Sequence, residues 1–263
     1  MTRRADRDWE RFARTEPYWA VLTDGRFRGE SLSESAREAF YATGERHVDH
    51  VFTALAAING ASGAPDRALD FGCGVGRLLP GLARRCRSVV GADVSPRMVE
   101  LARDTCRRME LHNAQVVRID DRLSGLDGEF DFIHSVIVFQ HIAPVRGEGI
   151  VERLCARLTP GGVGALHFTT AAHERRSALV LAAARDAFRP LHMALNLMRG
   201  RPAGQPLMRM HVYSLPRLCA IVERQGCSLL DVSPLPDAAY EGALLWIRRD
   251  ADTLPIGCPG GTP

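Results

Sequence analysis

An apolar strand that runs into three closely spaced glycines constrains this chain more than any other feature. Ala68 to Leu79 reads ALDFGCGVGRLL, with Gly72, Gly74 and Gly76 on alternate positions. A strand pattern precedes them and a helical pattern follows. Glycine is required where φ must be positive or where the backbone must approach another group closely. Such a strand–turn–helix unit belongs at the carboxyl edge of a parallel sheet and turns backbone N–H groups toward a ligand. The dinucleotide fingerprint G-x-G-x-x-G demands a third glycine where this chain has Arg77, and Asp70 stands two residues before the first glycine. Both features favour a ligand that meets the turn with an ammonium and a carboxylate over one that brings a pyrophosphate.

Strand-like and helix-like segments alternate from about residue 65 to 170, the mark of βαβ units and a parallel sheet. Strands are predicted at Arg67–Phe71, Ser88–Asp93, Gln115–Asp120, Phe130–Phe139 and Val163–Thr169. Helices are predicted at Gly76–Arg85, Pro96–Glu110 and Arg146–Leu158, the last followed by a Thr-Pro-Gly-Gly turn. A long helical pattern, Ala172–Arg199, is expected to break at Pro190. It is followed by a loop at Gly200–Gln205, a helix at Leu215–Gln225, and strands at Ser228–Pro234 and Ala243–Arg248. The expected organisation is a helical N-terminal cover over 1–60 and a ligand-binding domain over 61–250. A helical insertion over 172–214 lies on its substrate side, and a flexible tail spans 251–263. Ser33 is a plausible N-cap for a helix through Asn59, and the aromatic stretch from Trp9 to Phe27 lies ahead of it. That block reads equally as a plain cover over the sheet or as a lid over a ligand.

The second strand ends in Asp93-Val94-Ser95, which places a carboxylate where it can accept both hydroxyls of a ribose. The third ends in Ile119-Asp120-Asp121, one strand further along the same edge, where an acid can accept from an adenine amino group. Acidic ends on three successive strands beside a glycine turn describe a nucleoside site. In order, LDFGCGVGRLLPGLA, VVGADVSPRMVELAR, IDDRL, FDFIHSVIVFQHI and LCARLTPGGVGALHF resemble the motifs of the class I S-adenosylmethionine-dependent methyltransferases, in their small-molecule branch. The resemblance covers about Ala64 to Phe168, and more loosely YSLPRLCAIVERQGCSLLDV beyond it. It implies an α/β fold, a doubly wound, seven-stranded, mostly parallel sheet with the last strand (ALLWIRR) antiparallel. It also implies S-adenosyl-L-methionine as cofactor, S-adenosyl-L-homocysteine as product, and methylation of a small molecule, with oxygen the expected acceptor atom.

Carried over residue by residue, the resemblance gives Asp70 and the backbone of Gly72, Cys73, Gly74 and Gly76 to the methionine moiety. Asp93 goes to the ribose, Val94 and Met98 to the adenine surroundings, and Asp120 or Asp121, with Asp120 favoured by position, to the adenine amine. Met98 reads equally as core. A general base is needed only for a protonated acceptor, and histidine is the usual choice. His141 follows the fourth strand, His173 lies just beyond the fifth, and His211 begins the segment returning from the insertion; these three are the candidates. His134 and His167 sit inside strands, His134 reading as a satisfied core residue, while His47, His50, His112 and His192 read as helix-surface or packing residues. The Arg-rich insertion reads as an amphipathic helix with a solvated Arg face, or as a set of Arg pairs that grips an anionic substrate. Its apolar face would serve as a homodimer surface or as a cover over a hydrophobic acceptor.

The remaining features narrow the class. All 34 basic residues are Arg, and the net charge is only +3, which asks for neither nucleic acid nor membrane. Seven cysteines form no C-x-x-C pair and no zinc spacing, so no metal is expected and the thiols read as reduced and cytoplasmic. The fourth strand lacks the NPPY or DPPY sequence of enzymes that methylate adenine or glutamine nitrogen. Two rivals remain: a protein of this fold that binds the cofactor but catalyses another reaction, such as a cyclisation, and a non-catalytic partner subunit. A NAD-dependent dehydrogenase is disfavoured by Arg77.

Overall fold

The computed structural model describes residues 4–59, 64–172, 184–185, 188–198, 200, 203–235 and 240–251. The apolar runs β1 (Arg67–Phe71) and β2 (Ser88–Asp93) are buried on both faces, as strands inside a parallel sheet are. The sheet is completed by β3 (Ala114–Arg118), β4 (Phe130–Ser135), β5 (Leu158–Ala172), β6 (Cys227–Pro234) and β7 (Tyr240–Arg249), in the order β3-β2-β1-β4-β5-β7-β6. β1 to β5 pair in parallel, and β7 runs antiparallel between β5 and β6. This is the expected doubly wound seven-stranded sheet. Its strand order reverses between β1 and β4, the point at which such sheets bind ligands.

The helices are α1 (Arg4–Thr15), α2 (Pro17–Val21), α3 (Glu34–Asn59), α4 (Leu79–Ala83), α5 (Pro96–Arg108), α6 (Pro144–Cys155), α7 (Arg189–Met198) and α8 (Leu215–Arg224). Side-chain alternation along β1 decides which helices lie where. Ala68 packs with Val48 and Val51 of α3, Leu82 of α4 and Ala102 of α5. Leu69 and Phe71 pack on the opposite face with Ile150 and Leu154 of α6 and Leu218 and Val222 of α8. A third cluster joins Phe12, Tyr18 and Phe27 to Phe40 of α3 and Met98 of α5, which seats α1 and α2 over the sheet edge. Ser33 caps α3 as expected, its Oγ accepting from Ala36 N–H at 3.3 Å.

Several boundaries differ from the sequence reading, for local reasons. The helix expected from Gly76 starts at Leu79, because Gly76 takes φ +82°, outside helical backbone. The third strand stops at Arg118, leaving Asp120 and Asp121 in the turn beyond it. The fourth stops at Ser135 instead of Phe139. Ile137 takes φ +61°, strained backbone for a β-branched residue, while its N–H donates to His167 Nδ1 at 3.3 Å. The fifth strand absorbs the expected Thr-Pro-Gly-Gly turn and runs on to Ala172 through its pairing with β7. Pro190 does not break a helix; it is the second residue of α7, where a missing N–H is harmless. The reading of residues 173–183 as helix, and that of the tail beyond Ala251 as flexible, lie outside the described residues.

Candidate active site

The glycine turn shapes the floor of a cavity at the carboxyl edge. Gly72, Gly74 and Gly76 all have positive φ (+76°, +54° and +82°). A Cβ at Gly72 would stand 2.4 Å from Val138 Cγ2, and one at Gly74 would stand 2.6 Å from Val21 Cγ2. The glycines therefore admit both the loop after β4 and the end of α2. Their amides differ from expectation. Gly72 and Cys73 N–H donate to Ala92 O at 2.8 and 3.0 Å, Gly76 N–H to Cys73 O at 2.9 Å, and Gly74 N–H to Asp93 Oδ2 at 3.0 Å. These donors are bound within the chain, so the turn offers a ligand its shape more than free N–H groups.

Asp93 thus has a structural duty as well as its place at the edge. Its second oxygen accepts from Ser95 N–H at 2.8 Å, locking the β2 end to the start of α5. Burial pushes its carboxyl up to about 6, against the lowering effect of those backbone donors, with Asp70 adding repulsion. Asp70, 2% exposed, is pushed up to about 7 by burial, opposed by the Arg77 guanidinium. Its Oδ2 has no hydrogen-bond partner among the described residues. Each raised acid is a carboxylate in a dry site short of positive charge.

The acids after β3 behave differently from one another. Asp120 Oδ1 accepts from Arg122 and Ser124 N–H, and its Oδ2 from Ser124 Oγ, so its carboxylate closes its own turn. Asp121 instead meets the Arg146 guanidinium at 2.6 Å, and Arg146 also reaches Asp6 of α1 at 2.7 Å. The positional preference for Asp120 over Asp121 gains no support from this geometry, although both line the cavity. The other carboxylates of α1 are anchored too: Asp8 on Arg209 at 2.7 Å, and Glu10 on Ser95 Oγ at 2.7 Å. Ala5, Asp6, Trp9, Ala20 and Val21 line the same cavity as Gly72, Asp93 and Met98. The N-terminal block therefore forms part of the cavity wall as well as covering the sheet edge. Met98 is both cavity wall and core, at 2% exposure.

Of the three candidate bases, His141 lines the cavity. Its Nδ1 donates to Arg209 O at 2.9 Å, which leaves the Nε2 lone pair facing the Gln140 amide at 3.3 Å. Burial pushes its pKa down to about 4, so the ring is neutral near pH 7. Trp9 packs edge-on against it with ring centroids 4.8 Å apart. His211 is held through its backbone N–H to Gln140 O at 2.7 Å and is not a lining residue. His173 lies outside the described residues. His134 departs from the expectation of a satisfied core residue: it is buried, yet its Nδ1 has no hydrogen-bond partner among the described residues. Asp6 and Arg146 were missed in the sequence, whereas Trp9 and Val21 fall within the N-terminal stretch read as cover or lid. The pairing of Asp6 with Arg146 spans 140 residues of chain and leaves no spacing signal.

The cavity wall carries five carboxylates (Asp6, Asp70, Asp93, Asp120, Asp121) against two guanidinium groups (Arg77, Arg146), with apolar surface from Ile119, Val138, Ile142 and Ile150. That lining suits a ligand with a positive centre and an apolar body. Asp70 and Asp93 fit the sulfonium nucleoside implied by the motifs, since a cation would relieve both raised carboxyls.

Residues 68–162 match the family model of a methyltransferase domain. A ubiquinone biosynthesis O-methyltransferase of Chelativorans sp. (strain BNC1) is 33% identical over 97 residues, 37% of this chain and 38% of that protein. The methyltransferase GfsG of Streptomyces halstedii is 30% identical over 146 residues, 54% of this chain and 50% of that one. The chain spans roughly two fifths of the length of the first curated relatives it matches (37–44%). Among solved structures, the magnesium protoporphyrin IX methyltransferase of Synechocystis with bound S-adenosylhomocysteine superposes with a TM-score of 0.60 at 18% identity. That match covers 92% of this chain and 98% of that one, and it shows the shared fold alone. No helix among the described residues is long and apolar enough to cross a membrane.

Proposed function

We propose that this chain, which belongs to the class I S-adenosylmethionine-dependent methyltransferases, methylates a small molecule at oxygen. The acidic, lidded cavity at the carboxyl edge of β1 and β2 carries the reading. It buries Asp70 and Asp93, with Arg77 the countercharge felt by Asp70 among the described residues, the electrostatics of a site that takes a cation. When bound, S-adenosylmethionine supplies a methyl group on a sulfonium, already electrophilic. The protein then has to align the acceptor and exclude water, effects worth several kcal/mol or more.

The residues divide that task. Asp93 presents the free lone pairs of its anchored carboxylate to the ribose, and Met98, Val94 and Ile119 wall the base. Asp70 faces the methionine end from beneath the turn. Trp9, Val138, Ile142 and Ile150 form the apolar ceiling over the acceptor, and α1 shuts out solvent. His141, held neutral with Nδ1 on Arg209 O, is the candidate base, its Nε2 passing from the Gln140 amide to the proton of an acceptor hydroxyl. The curated relatives named as O-methyltransferases support oxygen as the acceptor atom. The described cysteines are free thiols, in keeping with a reducing cytoplasm.

The first test is calorimetric binding of S-adenosylmethionine and S-adenosylhomocysteine to wild type and to Asp93→Ala. Micromolar binding that falls at least about tenfold in the variant, a loss near 1.4 kcal/mol, is the expected result. No binding of either nucleoside to well-folded wild type would sink the reading. An acceptor screen follows, scored by S-adenosylhomocysteine release: one equivalent per methylated product supports transfer, while product without release marks a non-methylating reaction. With a responsive acceptor, His141→Phe should lower kcat about 10²–10⁴-fold at unchanged cofactor affinity.

A further inference from the structure

Asp70 and His134 are register partners on β1 and β4, so both side chains leave the sheet on the α3 face at the level of the glycine turn. His134 Nδ1 lies 3.8 Å from Asp70 Oδ1, and each residue is almost fully buried, at 1% and 2% exposure. His134 Nδ1 and Asp70 Oδ2 have no hydrogen-bond partner among the described residues, and 3.8 Å makes the approach to Oδ1 an electrostatic contact longer than a hydrogen bond. On its far side, His134 Nε2 lies 3.1 Å from His47 Nε2 of α3. That contact exists because α3 comes unusually close one turn earlier, where a Cβ on Gly44 would stand 2.1 Å from Arg77 O. His47 is half-buried, so the three side chains lead from the cavity wall to the flank of α3.

Tautomer logic gives the row a direction. Of the facing Nε2 atoms one must donate and the other accept. If His134 donated there, its neutral ring would turn a bare Nδ1 lone pair toward a carboxylate, and two acceptors would face each other. The favourable arrangement has His47 donating to His134 Nε2, with the His134 proton on Nδ1, toward Asp70. Arg77 supplies charge to Asp70 without taking this role: its Nη1 donates to Thr43 Oγ1 at 3.4 Å and its Nε is unpartnered among the described residues.

We propose that His134 and His47 are positioning residues for Asp70, a row from α3 through β4 whose aligned N–H dipoles favour its ionised form over the neutral one and keep the side chain in place for a cationic ligand. The ligand clause rests on the cofactor reading above; the donor row does not. The groups facing it are Arg77 and Cys73 at the turn, Asp93 on β2, His167 on β5 and His50 on α3. Burial and the neighbouring His134 and Arg77 push His47 down to about 2, and burial pushes His134 down to about 3, so both rings stay neutral and act as dipolar donors.

The test follows the Asp70 carboxyl by ¹³C NMR through a pH titration of the ligand-free protein, wild type, His134→Phe and His47→Leu. Imidazole ¹⁵N shifts report the tautomers. The expected result is His134 protonated at Nδ1, and an Asp70 midpoint raised by about one pH unit, tenfold in proton affinity, in His134→Phe. His47→Leu should move it the same way by less, and as a half-buried helix position it decides the matter if the core variant does not fold. An unmoved midpoint in a folded variant, or a His134 proton on Nε2, overturns the proposal. The variant-to-wild-type ratio of S-adenosylmethionine Kd should also grow from near one at high pH to about tenfold at low pH. A purely structural role leaves that ratio independent of pH. Wild type that binds no nucleoside would refute the cofactor reading, while the carboxyl titration would still decide the donor row.

Discussion

The floor and the lid of the cavity are built on opposite principles. The floor is nearer in sequence: the amides of Gly72 and Cys73 bond to Ala92 O, Gly76 to Cys73 O and Gly74 to Asp93, 19 residues away, while the other Asp93 oxygen reaches Ser95. The lid is remote: Asp6 meets Arg146 and Asp8 meets Arg209, partners 140 and 201 residues away in sequence. Local backbone hydrogen bonds in a buried turn survive salt and most fluctuations. Ion pairs at a cavity mouth weaken with ionic strength and release cooperatively. A rigid floor under a cover held by ion pairs would let the proposed cofactor enter without unmaking the floor.

The largest effect should come from breaking the floor. Gly72→Val places a β-branched residue at φ +76° and drives its Cβ to 2.4 Å from Val138. Left-handed backbone and overpacking together should cost about 2–5 kcal/mol of stability, read by denaturant unfolding. A loss below about 0.5 kcal/mol would mean that the turn is not the fixed element described.

Arg146→Ala attacks the lid instead. It removes the cation shared by Asp6 and Asp121, 14% and 28% exposed. We expect a smaller loss of about 1–3 kcal/mol. Limited proteolysis within α1 should quicken, while β1 amides keep their exchange protection. Equal loosening of both regions would remove the distinction between them.

Protonation separates the regions a third way. Asp70 and Asp93 have folded pKa values raised to about 7 and about 6, against 3.8 unfolded. Their contribution to stability is full below the unfolded value and lost as pH rises through the folded ones, so the ligand-free protein should lose stability between about pH 4 and 7. A bound cation offsets that loss. The rise in Tm on adding S-adenosylmethionine should therefore be larger at pH 8 than at pH 5.5, by a few degrees; a rise that is larger at the lower pH contradicts the assignment of Asp70 and Asp93 to the cation.

The smallest effect is salt alone. Raising ionic strength from roughly 0.05 to 0.5 M should speed α1 amide exchange by a factor of a few, the scale of exposed ion pairs, and leave the floor unchanged. Hydrogen exchange read by mass spectrometry resolves the two segments.

Much of this architecture was legible in one dimension, because its signals are short-range. Burial on both faces marked β1 and β2, and the glycine spacing marked the positive-φ turn. Asp93 at a strand end was bound to reach the edge. Strand lengths were less legible: β4 ends where Ile137 is forced into left-handed backbone, and nothing in FDFIHSVIVFQHI announces that. The histidines misled for a similar reason. His47 read as a surface or packing residue and His134 as a satisfied one, yet each is defined by the other across 87 residues.

The sequence by itself determined the sheet, the turn and the acidic edge, since periodicity and glycine conformation act over a few residues. Only the tertiary structure decided that α1 walls the cavity, that Arg146 joins Asp6 to Asp121, and that the turn amides are already bonded. Those outcomes depend on which distant groups share a dry space, where burial strengthens a charge or leaves it unpartnered, and chain order does not encode that proximity.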